Sequence, residues 1–174
     1  MNVTIRPFVA GDVVQLDLQP SQHVALGVWK AVHDLEDGRE LEGAGPAWTA
    51  IGGGRVLCCY GFAYEHPPSE KSGGHALAWA LLTAGLGAAH LAITRFARAT
   101  IAASPISRIE AIVRKDYPAE RQWAELVGFT LAATLRAWGP DGETHLLYER
   151  VRADECAPFA YRARPLQLEA MGAC

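Results

Sequence analysis

The segment Leu82-Thr83-Ala84-Gly85-Leu86-Gly87 runs from an apolar stretch into a helix-forming one. Two glycines at such a junction let the backbone come close to an anionic group. The N–H groups that open the following helix, at Ala88 and Ala89, add a positive dipole end. A phosphate can be cradled there, although the same spacing also makes a plain strand-to-helix turn. Groups for proton transfer are sparse nearby. Every residue from Ala76 to Leu82 is Ala, Leu or Trp, so this stretch supplies no carboxylate as a general base. His75, just before it, and Tyr117 are the ionisable side chains able to substitute, and each reads more simply as a solvated loop residue. Cys58 and Cys59 are adjacent in a strand-like run, so they point to opposite faces and do not readily pair. No CxxC or Cys/His metal spacing occurs, and buried, idle thiols are expected.

The elements that position these residues follow from periodicity and turn signals. Val3 and Ile5 alternate with Thr4 and Arg6 as a first strand, closed by Pro7. Asp12 predicts a helix N-cap for a segment through Leu18, and a second helix is predicted from about Val24 to Leu35. Arg39 to Pro46 reads as loop. Ala47–Ile51, the glycines 52–54 and Arg55–Tyr64 form a hairpin signal. His75–Thr83 is an apolar strand of the kind buried on both faces. A helix from about Ala88 to Ala103 carries the stripe Ala89, Ile93, Phe96, Ala97 and Ile101. Arg108–Val113 alternates as a strand, and Pro118 opens a short helix ended by Gly128. Thr130–Trp138 and Thr144–Val151 close the series as a hairpin around Gly139-Pro140-Asp141-Gly142.

The chain has 174 residues, half of them hydrophobic and a fifth charged, with a net charge of −3. That is an ordinary globular mix of single-domain size. It leaves no basic footprint for nucleic acid or an acidic membrane. No apolar run approaches the roughly 20 residues that cross a bilayer. Met1 to Arg6 lacks the pattern of a signal peptide, so the expected compartment is the cytoplasm.

This order of elements resembles the GNAT family of N-acetyltransferases over about residues 3 to 151. The resemblance implies an α/β fold with a mixed, mostly antiparallel central sheet flanked by helices. His75–Thr83 is similar to the family's central strand, whose backbone near Ala80, Leu81 and Leu82 would pair with the pantetheine arm of acetyl-CoA. Residues 82–87 look like its pyrophosphate loop, giving that role to Gly85, Gly87, Ala88 and Ala89. Leu126-Val127-Gly128-Phe129 resembles the end of the family's last helix. Two positions depart from the pattern. Leu82 stands where the family has Arg or Gln. Ala124 stands where many members have a Tyr that protonates the departing thiolate, and a methyl group cannot be a general acid. Such losses still leave transfer by positioning of amine and thioester.

A narrower resemblance lies in Leu77–Leu82, His90–Arg95 and Gln122–Phe129, which look like the GNAT-like proteins of tailed bacteriophages, virion proteins among them. After Val151 the tail Arg152–Cys174 holds Pro158 and Pro165 and no sustained period, so it reads as an extended arm outside the domain. Phe159, Tyr161, Leu166, Leu168 and Met171 are its candidate anchors for other protein subunits. Cys156 and Cys174 are placed to act as intermolecular staples in a particle that leaves a reducing cytosol. Two readings result. The first is a structural component of a phage virion on a degenerate GNAT fold, docking through the arm and needing no cofactor. It would be made in the host cytoplasm and then carried in the virion. The alternative is an acetyl-CoA-dependent N-acetyltransferase acting on a small or peptidyl amine.

Overall fold

The computed structural model describes residues 2–23, 34–70 and 72–152. Seven strands make one sheet: β1 (Val3–Pro7), β2 (Ala47–Gly52), β3 (Arg55–His66), β4 (His75–Leu82), β5 (Arg108–Arg114), β6 (Thr130–Leu135) and β7 (His145–Val151). Their order is β1-β2-β3-β4-β5-β7-β6. Every neighbouring pair is antiparallel except β4 and β5. The helices are α1 (Leu35–Ala44), α2 (Ala89–Ala103) and α3 (Pro118–Val127), with 3-10 turns at Ala10–Gln15 and Pro20–His23.

Side chains alternate across a strand, and the two faces of the sheet carry separate cores. On one face α2 and α3 bury Ile93, Ala97, Ile101, Ala124 and Val127 against Cys58, Tyr60, Ile109 and Tyr148. The other face gathers Phe8, Val13, Leu18, Val56, Cys59 and Leu81 under the N-terminal segment. Cys58 and Cys59 thus fall in different cores, as alternation requires, and both are buried free thiols. Burial pushes both pKa values up, that of Cys59 to about 12, so neither is a ready nucleophile.

A buried carboxylate anchors the second core. Asp12 accepts two hydrogen bonds from Arg6, at 2.8 and 2.6 Å, one from the Thr49 hydroxyl and one from the Val9 N–H at 3.1 Å. At the far end of the sheet, Arg150 on β7 donates to the carbonyls of Ile101, Ser104 and Ile106. It thereby satisfies acceptors left over where α2 ends.

Three expectations change. Arg39–Pro46, read as loop, is mostly helix. Asp34 caps α1 by accepting from Glu36 and Asp37, and Asp37 accepts in return from the Asp34 N–H. Gly38 inside that helix permits a close contact: a Cβ there would stand 2.2 Å from the Ala10 carbonyl oxygen. The segment after Asp12 forms a 3-10 turn rather than a helix through Leu18. In β4 only Ala76, Leu81 and Leu82 are buried, because the strand loses its neighbour on one side partway along. The predicted helix over 24–35 lies almost wholly outside the described residues. So does the arm beyond Arg152, with Phe159, Tyr161, Leu166, Leu168, Met171, Cys156 and Cys174.

Candidate functional site

The parallel pairing of β4 with β5 stops after three residues, His75↔Arg108, Ala76↔Ile109 and Leu77↔Glu110. Beyond that point β5 stays paired with β7 along its whole length while β4 stays with β3. The two strands splay, and a cavity of about 450 Å³ opens between them. That size falls within the usual range for ligand sites. The cavity passes through the sheet. Ala78, Ala80, Ala111 and Val113 line it on the α2 and α3 side, and Leu77, Trp79, Ile112 and Trp138 on the other.

One wall is the edge of β4 that β5 has abandoned, and three of its backbone groups are already taken. The Gln22 side chain donates from Nε2 to the Ala80 carbonyl at 2.8 Å and accepts from the Leu82 N–H through Oε1 at 2.7 Å. The Gln19 N–H donates to the Leu82 carbonyl at 3.0 Å. Gln22 is 7% exposed. Its carboxamide therefore reads the strand edge as a peptide unit of an adjacent strand would. Leu82 itself sits in the core, 6% exposed, with no polar reach toward the opening.

The glycine turn lies at one mouth. Gly85 and Gly87 have φ of 69° and 51°, the left-handed region that glycine adopts freely. A Cβ on either would meet nothing within 4 Å, so the turn faces open space. The Ala89 N–H donates to the Leu86 carbonyl at 3.1 Å and is spent within the turn, contrary to the expectation that it is free. The N–H groups of Gly87 and Ala88 have no backbone partner among the described residues.

The titratable side chains lining the cavity are not those singled out in the sequence. His75 sits at the closed end of the splay, 3.2 Å from Glu110, and does not line the cavity. Tyr117 precedes α3, its ring under the Arg114 guanidinium at 4.7 Å, also away from the lining. The lining instead holds His90 in the first turn of α2 and Glu120 in the first turn of α3. Glu120 is the one carboxylate among the described lining residues. Its Oε1 is buried without a hydrogen-bond partner. Burial raises its pKa above the ordinary carboxylate value, an effect that Ser21 and Arg114 only partly offset. Trp123 donates to Thr94 Oγ1 at 2.9 Å, and the same hydroxyl is 3.4 Å from His90 Nδ1, so Thr94 orients both rings. Glu120 gave no sequence signal, since an acid in a first helical turn is ordinary dipole complementation. Gln22 carried none at all, because its partners lie 58 and 60 residues away.

No family model and no curated protein matches the sequence. Solved structures do match the fold. yncA from Salmonella typhimurium, solved with its cofactor acetyl-CoA, superposes with a TM-score of 0.70 at 15% identity, over 92% of this chain and 99% of that one. An N-acetyltransferase from Staphylococcus aureus Mu50 matches at 0.63 and 18%, over 87% and 99%. An acetyltransferase of the GNAT family from Streptococcus pneumoniae matches at 0.61 and 10%, over 86% and 99%. With its splayed central strands, glycine turn and flanking helices, the chain has the GNAT fold.

Proposed function

We propose that this protein transfers an acyl group from a coenzyme A thioester, acetyl-CoA in the first instance, to an amine. The observation that carries this reading is the gap between β4 and β5. It runs through the sheet and has the open Gly85–Gly87 turn at one mouth. Two reactants can enter from opposite faces and meet inside. Structural neighbours that are acetyltransferases favour this reading over a virion scaffold.

Gly85, Gly87 and the Ala88 N–H suit the pyrophosphate, and the β4 edge at Ala80–Leu82 suits the amides of pantetheine. For that second contact Gln22 has to give way, since it holds the same backbone groups. The acceptor amine enters past Trp79, Ile112 and Trp138. Its nitrogen forms the C–N bond to the thioester carbonyl carbon, the C–S bond breaks, and sulfur leaves as thiolate. Glu120 takes the proton lost by nitrogen, directly or through one water, and its raised pKa suits that role. With Ala124 in place of an acid, the thiolate draws its proton from solvent. Proximity then supplies most of the acceleration.

Thermal shift with CoA and acetyl-CoA, followed by thiol release over a panel of amines, tests this reading. Saturation at about 100 times Kd adds roughly 2.7 kcal/mol, and each kcal/mol moves a domain of this size by about 2–4 °C. A rise of several degrees with amine-dependent thiol release is expected. No shift at millimolar ligand would refute it.

A further inference from the structure

We infer that the acyl group this site is built for is longer than acetyl, a straight alkyl chain. The inference rests on the acyltransferase reading and concerns the inner end of the same cavity. The opening is polar, with Gln19, Gln22, His90 and Glu120 around it. Inward the lining changes character, and the space continues beneath the two helices rather than stopping at the strand gap. It reaches Ala97 and Ile101 on α2, Ala124 and Val127 on α3, and Phe129 after it. All five are buried, none more than 6% exposed, so this end is walled by core residues.

The depth comes from small side chains placed where two helices meet the sheet. Ala78, Ala80, Ala97, Ala111 and Ala124 all border the cavity. Leucine or an aromatic residue at several of these positions would fill it. A native interior is ordinarily packed to near-crystal density, and a dry apolar hollow lacks the dispersion contacts that would hold it closed. A two-carbon acyl group placed at the strand gap leaves this hollow vacant. A flexible alkyl chain entering between α2, α3 and the sheet fills it without asking for a polar partner. Tyr60, at its wall, keeps a buried phenol whose pKa burial raises, so that group stays neutral beside a hydrocarbon.

The test is a binding series with CoA, acetyl-CoA, butyryl-CoA, hexanoyl-CoA and octanoyl-CoA on the full chain, read by calorimetry. About fourfold tighter binding per added methylene is expected until the hollow is full. Ala124→Phe should flatten that series. Because Ala124→Phe risks overpacking, Ala111→Leu, at a half-buried position on β5, serves as the second variant and should shorten the preferred chain. CoA binding with no gain from chain length would overturn this inference and leave acetyl transfer standing. Failure of CoA and of every thioester to bind would overturn the acyltransferase reading itself.

Discussion

Replacing Gln22 by alanine removes two hydrogen bonds at once, to the Ala80 carbonyl and the Leu82 N–H. Both belong to a strand edge with no other strand to cover it. Each bond is worth about 0.5–1.5 kcal/mol net, so the free protein should lose about 1–3 kcal/mol. At roughly 2–4 °C per kcal/mol for a domain of this size, Tm should fall by about 2–12 °C. The ligand-bound state behaves differently. If the amides of pantetheine take over the same backbone groups, Gln22 is already displaced there and its loss costs nothing. The difference between the two states then returns as affinity. Binding of acetyl-CoA should tighten by up to the same 1–3 kcal/mol, or about 5- to 150-fold. Paired thermal melts and calorimetric titrations of wild type and Gln22→Ala measure both halves. A variant that melts lower and binds more weakly would refute the reasoning, because Gln22 would then be a ligand contact rather than a stand-in for one.

Glu120→Gln should lower kcat by about 10²–10⁴-fold, the usual contribution of a positioned proton acceptor, and leave Tm unchanged or slightly raised, since it removes a buried carboxylate. In the wild type, kcat/KM should rise with pH through a pKa above the ordinary carboxylate value, a limb that the variant lacks in a stopped-flow pH profile. Gly87→Ala places a side chain at φ 51° and should cost roughly 1–2 kcal/mol; its methyl also projects into the open face of the turn, so CoA binding should weaken beyond what the melt explains. Burial alone would raise the pKa of Asp12, but its hydrogen bonds from Arg6, Thr49 and Val9 outweigh that and hold it below the ordinary 3.8. The stability it contributes is therefore present above that value and lost as pH falls through the folded pKa. Asp12→Ala should cost about 2–3 kcal/mol by urea titration, less than a fully buried pair because Arg6 is 36% exposed, and should remove that acid limb.

Much of the fold was legible because its signals are local. Alternation marked the strands, Pro118 and Gly128 bracketed α3, and the glycines 52–54 announced the β2–β3 turn. α1 was missed because a glycine inside a helix reads as a breaker until its neighbour is known, and Gly38 owes its place to Ala10. The site was half legible. Gly85 and Gly87 declare themselves through the conformations only glycine adopts easily. Gln22 and Glu120 do not, since what distinguishes them is an edge and a cavity formed by residues far away in sequence. Leu82 and Ala124, which read as lost chemistry, prove to be core and cavity wall. His75 drew notice for its ionisable ring, and its place is at the closed end of the splay, 3.2 Å from Glu110.

The sheet is held at its centre by only three residue pairs between β4 and β5. Each half on either side is continuous in sequence: β1 to β4 precede the glycine turn, and α2 to β7 follow it. The chain is thus built as two consecutive segments whose strands pair over only those three residues, while α2 of the second, held at its C-terminal end by the Arg150 clasp, packs across onto Cys58 and Tyr60 of the first. A cut at Leu86 would separate them without severing a strand or a helix. Fragments 1–86 and 87–174 become a natural pair for reassembly, and any ligand lying in the gap between β4 and β5 would act as the glue between them.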